Sequence, residues 1–276
     1  MKWLQFILSH SIFIAICGVA LAFQTAQLLH FDRSVFVYGF IFFATLCSYN
    51  FYWLLSKFSF SGKIGLSNFF KKDLTAISLL IFSAAGLLFC LYRSSMIIEH
   101  VITAILLTVI YSIPLLPFKF LRFTRRAGVL KTTLLAFTWM YVTAFLPLQK
   151  PYEMLNSADI FILTRRFLFM LMLCIIFDSR DIAVDKIRGL RSLATDLGAA
   201  TLQVLIYSIF IIMFASNLFS TYYGITIYQS IALQTSTIAL LVVYFYSTKK
   251  QGYLFYYFLV DGLMLFSALT TWIASI

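Results

Sequence analysis

Long apolar runs, each about twenty residues in length, constrain this chain more than any other feature of its sequence. A helix that crosses a bilayer needs about 20 mostly apolar residues, and such runs take up most of the 276 residues. The gaps between the runs are too short for a soluble domain. The sequence therefore predicts an all-α fold, in which residues 1–276 form a single integral-membrane domain of nine transmembrane helices. The nine runs lie at roughly 4–29, 35–56, 74–93, 98–117, 130–148, 159–177, 200–219, 225–247 and 254–274.

Composition supports a membrane protein over the soluble alternatives. The chain is 62% hydrophobic and 11% charged, whereas a typical soluble domain is about 45–50% apolar and about 25% charged. A net charge of +11 would suit a nucleic-acid-binding protein, but such proteins gather Lys and Arg on one soluble face. Here the basic residues lie in the gaps between apolar runs, so we expect the bilayer to surround the chain and no nucleic acid to bind it.

The distribution of the 21 Lys and Arg residues predicts the orientation. With the N-terminus inside, most of them fall in cytoplasmic segments, as the positive-inside rule expects. We therefore predict a multi-pass protein of the cytoplasmic (inner) membrane, with its N-terminus inside and its C-terminus outside. The run 4–29 exceeds the about 7–15 residues of a signal-peptide core, so it is taken as the first span. Arg165 and Arg166, near the outer end of the sixth run, are expected to extend outward to the membrane surface.

Three aspartates at the cytoplasmic end of the sixth run carry the strongest chemical signal. Asp178, Asp181 and Asp185 are spaced to fall on one helical face, and three crowded carboxylates favour a bound cation. Mg²⁺ suits them because it prefers carboxylate oxygens and is commonly shared with substrate phosphates. The alternative is a solvated helix end with local ion pairs. Basic residues that follow can neutralise further phosphate charge; these are Lys186, Arg188 and Arg191.

The stretch from Asp178 to Gly198 resembles the second aspartate-rich motif of the UbiA superfamily of membrane prenyltransferases. The segment Tyr111-Ser112-Ile113-Pro114, followed by Lys119, is similar to a Tyr-Ser-x-Pro segment of that family. The resemblance implies a helical bundle whose lipid-open cavity binds an isoprenyl diphosphate through Mg²⁺. It also implies transfer of the isoprenyl group to an aromatic or other lipophilic acceptor. The chain is thus expected to be a prenyltransferase, a transferase of alkyl or aryl groups other than methyl.

The resemblance also implies roles for individual residues. Asp178, Asp181 and Asp185 are expected to hold the metal, and Asp181 and Asp185 are also candidate catalytic residues. For Asn50, a hydrogen bond between helices is the alternative to a role in substrate binding. The residues expected to bind substrate are Asn50, Tyr111, Lys119, Lys186, Arg188 and Arg191.

The first aspartate-rich motif of the family is degenerate in this sequence. Asn50 is retained, but the three aspartate positions of the family pattern are occupied by Phe51, Leu54 and Phe58. Asp261, inside the ninth run, is the candidate catalytic substitute. A bare carboxylate in the membrane costs about 2.5–3.5 kcal/mol, so Asp261 is expected to face a cavity or a partner. It would accept a proton from the acceptor or help to hold a metal or basic side chain; a hydrogen bond to a neighbouring helix is the alternative.

Two other functions stay open from the sequence. A non-catalytic UbiA-like protein, which binds an isoprenoid or lipid diphosphate or scaffolds a pathway, would explain the lost first motif. A transporter is the other, although a coupled ion pathway would be expected to show more intramembrane charge than this chain carries.

Overall fold

The computed structural model describes residues 2–60, 74–94, 98–112, 128–188 and 191–276. These residues form helices joined by short turns, and they contain no strand. The main α-helices are α1 (Lys2–Ser9), α2 (Ile12–Leu28), α3 (Val35–Phe60), α4 (Leu74–Arg93), α5 (Ile98–Ser112), α6 (Gly128–Met140), α7 (Ser157–Arg188), α8 (Leu193–Leu218), α9 (Ile227–Ser247) and α10 (Asp261–Ile273). A π-helical turn follows α6 (Tyr141–Phe145), and another precedes α10 (Phe255–Val260).

Seven helical segments of the described chain are long and apolar enough to cross a membrane. They make the protein an integral, multi-pass all-α membrane protein, as the apolar runs predict. Helix α5 is shorter, with 15 residues, and α1 with α2 forms a bent pair. The count of nine spans therefore stays a prediction. The seven segments are Val35–Lys57, Leu74–Arg93, Gly128–Leu148, Ser157–Ala183, Leu193–Leu218, Ile227–Ser247 and Phe255–Ile273.

The first apolar run folds as two helices rather than as one continuous span. The axes of α1 and α2 differ by 68°, and Ser11 at the bend adopts a left-handed backbone conformation with φ of 62°. The Asn50 side-chain nitrogen, from α3, donates a hydrogen bond to the His10 carbonyl at 3.3 Å. A bend releases carbonyls from their helical partners, and Asn50 satisfies one of them.

Helix α7 lies at the centre of the bundle. Every residue from Phe169 to Ile176 is buried, and α7 packs against α6, α8 and α9. A helix that is apolar on all sides is suited to such a position. With 32 residues, α7 is about 48 Å long. We call the end of the bundle with Asp178, Asp181 and Asp185 the aspartate end, and the end where α7 begins the distal end.

Arg165 and Arg166 are buried inside the bundle, so the prediction that they extend to the membrane surface is wrong. Their exposed fractions are 4% and 2%. Arg165 Nε donates to the Asn217 side-chain oxygen at 3.0 Å, and Arg166 Nη2 donates to the Gln24 side-chain oxygen at 2.9 Å. These polar partners come from α8 and α2, far away in the sequence. Hydropathy along one helix therefore gives no sign that the arginines are satisfied inside.

Candidate active site

Asp178 is fixed by a threonine that joins three helices. The Thr132 hydroxyl, in α6, donates a hydrogen bond to Asp178 Oδ2, in α7. The same hydroxyl oxygen accepts a hydrogen bond from the backbone N–H of Leu193 at 3.1 Å, at the start of α8. Thr132 is only 2% exposed. It therefore positions the Asp178 carboxylate within the packing of α6, α7 and α8.

Lys131 is a site residue that the sequence does not single out. It lies beside Thr132 on α6, and its ammonium group interacts electrostatically with Asp185, Asp178 and Asp181. Asp185 is 8% exposed and also interacts with Asp178. In the sequence, Lys131 looks like one more positive charge at the cytoplasmic end of a span. Only the packing of α6 on α7 brings it to the aspartates.

Asp181 is paired with its neighbour Arg180. Arg180 Nε and Nη2 donate to the two carboxylate oxygens of Asp181, each at 2.7 Å. The guanidinium group also lies 5.0 Å from the ring centres of Phe177 and Tyr256, and 5.1 Å from that of Tyr257. Cation–π contacts of this kind are favourable, and they hold Arg180 in place. The Asp181 carboxylate is thus engaged by a protein cation in this structure.

Asp261 faces the bundle interior rather than lipid. Its exposed fraction is 5%, and its carboxylate interacts electrostatically with Arg180. It also lies close enough to Tyr49 in α3 and Cys174 in α7 to interact with both side chains. Among the described residues, no neighbouring hydroxyl donates a hydrogen bond to it. Its catalytic role and the alternative of a hydrogen bond to a neighbouring helix both stay predictions.

An apolar cavity of about 350 Å³ has α3, α5 and α6 as its main walls. The Tyr52 ring stacks on that of Tyr111, with centroids 5.2 Å apart, and Tyr49 meets Trp139 edge to face at 6.2 Å. All four side chains line the cavity. Two of these lining residues also interact electrostatically with the charged groups: Tyr49 with Asp261 and Tyr52 with Lys131.

The predicted substrate-binding residues are only partly brought together. Tyr111 lines the cavity. The Asn50 side-chain nitrogen instead donates hydrogen bonds to the carbonyls of Leu46 and His10. The bond to His10 joins α3 to the bend between α1 and α2, which is the alternative to a role in substrate binding. Arg191 lies 3.8 Å from Asp196 and is largely exposed. Lys119 lies outside the described residues, and so do the side chains of Lys186 and Arg188. Substrate binding by any of these residues stays a prediction.

The positions of the degenerate first motif have apolar roles. Phe51 lines the cavity, and Leu54 is buried against Ala76 of α4 together with Ile77 and Leu80. An aspartate at Leu54 would place a carboxylate in apolar packing, which is costly without a partner. The third position, Phe58, has its side chain outside the described part of the chain.

The described carboxylates fit a shared metal ion and do not fit a preformed metal site. Within the described ranges, no three His, Cys, Asp or Glu side chains converge as metal ligands. Asp181 is paired with Arg180, which leaves Asp178 and Asp185 as the interacting carboxylates on one face. Mg²⁺ is usually held by one or two carboxylates together with substrate phosphates. The Asp178–Asp185 pair suits that arrangement.

Comparison with solved structures confirms the fold that the sequence resemblance predicts. The structure of a UbiA homolog from Aeropyrum pernix K1 matches with a TM-score of 0.59 at 12% identity, covering 95% of this chain and 97% of that chain. A structure of digeranylgeranylglyceryl phosphate synthase matches with a TM-score of 0.53 at 14% identity, covering 100% and 99% of the two chains. No protein-family model and no curated protein matches the sequence. The likeness therefore shows a UbiA-type fold.

Proposed function

We propose that this chain, which has the fold of UbiA-type membrane proteins, transfers an isoprenyl group from an isoprenyl diphosphate to a lipophilic acceptor in the membrane. One observation carries the proposal: two tyrosines of an aromatic-lined apolar cavity, Tyr49 and Tyr52, interact electrostatically with Asp261 and with Lys131, and Lys131 also interacts with Asp178 and Asp185. An isoprenyl diphosphate combines a highly charged head with a hydrocarbon chain. Its binding site therefore needs charged groups next to an apolar cavity.

The chemistry that we propose divides between the two parts of the site. Asp178 and Asp185 would hold Mg²⁺, which stabilises negative charge on a leaving diphosphate, and Lys131 adds a fixed positive charge. The cavity holds the hydrocarbon chain and excludes water, and the rings of Tyr49 and Tyr52 can stabilise an allylic cation. Cleavage of the carbon–oxygen bond releases diphosphate. The nucleophilic atom of the acceptor then bonds to the cation and loses its proton to Asp261.

Binding of a radiolabelled isoprenyl diphosphate to purified protein in detergent tests this proposal. We expect Mg²⁺ to strengthen binding, and we expect Asp178→Asn and Asp185→Asn each to weaken it by at least about tenfold. Each substitution removes a carboxylate while keeping the shape of the side chain. Glu153→Gln, at the distal end, is the matched control and should bind as the wild type does.

Unchanged binding in both aspartate variants would return this cluster to the alternative of a solvated helix end. A non-catalytic binding protein is the second candidate, and the engagement of Asp181 by Arg180 favours it. Addition of a membrane lipid extract as the source of acceptor separates the two functions. Release of diphosphate supports a transferase, whereas Mg²⁺-dependent binding without release supports the non-catalytic protein.

The proposed orientation gives a separate prediction. With the N-terminus inside, nine spans place residue 65 in the cytoplasm and the C-terminus on the other side of the inner membrane. Reporter fusions at these two positions should therefore report opposite compartments. The same compartment for both would contradict the orientation or the count of spans without touching the proposed chemistry.

A further inference from the structure

Arg180 interacts with two carboxylates that belong to different helices of the candidate active site. Its Nε and Nη2 atoms donate to Asp181 of α7, and its charge interacts with Asp261 of α10. Asp181 in turn interacts electrostatically with Lys131. Asp261 interacts with Tyr49, which lines the apolar cavity. The guanidinium group is therefore linked both to the aspartate end of the site and to a wall of its cavity.

Three aromatic rings hold the Arg180 guanidinium group in this position. Its centre lies 5.0 Å from the ring centroids of Phe177 and Tyr256, and 5.1 Å from that of Tyr257. Two of these rings belong to the π-helical turn that precedes α10, and π-helical turns are frequent at functional sites. Cation–π contacts stabilise a cation without neutralising it. The rings therefore keep a full positive charge available to an anion.

The described carboxylates of the site outnumber its described cations. Four aspartates share two cations among the described side chains, Lys131 and Arg180. A diphosphate brings further negative charge to this place. Like charges repel more strongly where water is scarce. The ligand therefore needs a cation that can turn from a carboxylate to a phosphate oxygen.

An arginine that is paired with a partly exposed carboxylate is suited to such an exchange. Carboxylate and phosphate oxygens both match the paired N–H groups of a guanidinium group. The side chain of Asp181 is 39% exposed and that of Arg180 is 24% exposed, so an anion can reach the pair and Asp181 can turn toward water. An exposed ion pair adds little to stability. Exchange of Asp181 for a diphosphate should therefore cost little.

We propose that Arg180 binds the diphosphate of the isoprenyl substrate, and that Asp181 holds the guanidinium group only until the diphosphate takes its place. The inference rests on the proposed function, because the ligand is the same. It adds a binding residue that acts without a metal ion. The N–H groups of Arg180 donate to diphosphate oxygens, while the rings of Tyr256 and Tyr257 keep the guanidinium group in position. Binding should therefore have a metal-independent part beside the part that depends on Mg²⁺.

Binding of radiolabelled farnesyl diphosphate, used as the probe, to the purified protein in detergent with excess EDTA tests this role. We expect saturable binding in the absence of Mg²⁺, and we expect Arg180→Gln to weaken it by at least about tenfold. Arg93→Gln is the matched control, because Arg93 also lies over an aromatic ring, that of Phe36 at 5.4 Å, but at the distal end. This variant loses the same charge and should bind the probe as the wild type does.

Asp181→Asn separates binding by Arg180 from a purely structural role of the ion pair. Both Arg180→Gln and Asp181→Asn break the pair, but Asp181→Asn frees the guanidinium group and should strengthen metal-free binding by about twofold to fivefold. Absence of metal-free binding by the wild type, or equal metal-free binding by Arg180→Gln and the wild type, would overturn the proposal. Unchanged or weaker metal-free binding by Asp181→Asn would also overturn it, and this variant decides where Arg180→Gln fails to fold.

The role of Arg180 and the proposed metal site fail in different ways. If Asp178→Asn lowers binding in Mg²⁺ while Arg180→Gln leaves metal-free binding unchanged, only the role of Arg180 is wrong. If metal-free binding depends on Arg180 while neither Asp178→Asn nor Asp185→Asn changes binding in Mg²⁺, only the metal site is wrong.

Discussion

Replacing Asp261 by asparagine should lower formation of the prenylated product by about a hundredfold or more, while binding of the isoprenyl diphosphate stays close to that of the wild type. A positioned general base typically contributes about 10²–10⁴ to a rate, and asparagine keeps the shape of the side chain but cannot take a proton. The Asp261 carboxylate interacts electrostatically with Arg180 and with Tyr49, which lines the cavity. The loss should therefore fall on the chemical step rather than on binding.

Asp196→Asn is the matched control for this experiment. Asp196 is also at the aspartate end, but its carboxylate faces Arg191 at 3.8 Å rather than Arg180. Its variant should form the prenylated product as the wild type does. A rate of product formation by Asp261→Asn equal to that of the wild type would remove Asp261 from the mechanism and leave it a buried acid near Arg180.

Replacing Gly128 by alanine should destabilise the protein by about 1–3 kcal/mol, the usual cost of inserting atoms into a packed core. A Cβ atom at Gly128 would lie 2.6 Å from the backbone nitrogen and the backbone oxygen of Ser192. Backbone atoms cannot rotate away as a side chain can. The start of α6 must then move off the start of α8, and Thr132, one turn along α6, moves with it. Thermal unfolding in detergent should show a lower midpoint.

Gly262→Ala provides the comparison within the same bundle. A Cβ atom there would lie 3.7 Å from the Phe13 ring, which is an ordinary contact, and alanine is about 0.5–1 kcal/mol better than glycine inside a helix. We expect this variant to be as stable as the wild type or more stable. Equal midpoints for Gly128→Ala and the wild type would show that α6 and α8 are not packed as closely as described.

The length of an apolar run is enough to predict most of the helices. It fails where a helix continues through charged residues. The run 74–93 coincides with α4 (Leu74–Arg93). The run 159–177, in contrast, stops well short of Arg188, where α7 ends, because hydropathy falls at the first aspartate while the backbone stays helical. The spacing of Asp178 and Asp185 is enough to predict a shared face. That prediction needs only the period of one helix.

Contacts between helices could not be predicted in the same way. The approach of Lys131 to the aspartates depends on how α6 packs against α7, and the pairing of Asp181 with Arg180 depends on three rings that hold the guanidinium. The periodicity of a single helix predicts neither of these contacts. A basic residue near the end of an apolar run has the same pattern whether it meets lipid head groups or a buried acid.

The burial of Arg165 and Arg166 sets an order on biosynthesis. Synthesis starts at the N-terminus, so Gln24 of α2 has already been translated when α7 leaves the ribosome. A hydrogen-bond partner of Arg166 is therefore available at once. The partners of Arg165 are Asn217 and the carbonyl of Leu233, which are translated 52 and 68 residues later, near the end of α8 and in α9. Until then Arg165 needs a polar environment. We therefore expect the insertion machinery to shelter α7 until α8 and the start of α9 have been made, so the central helix gains its last arginine contacts late in synthesis.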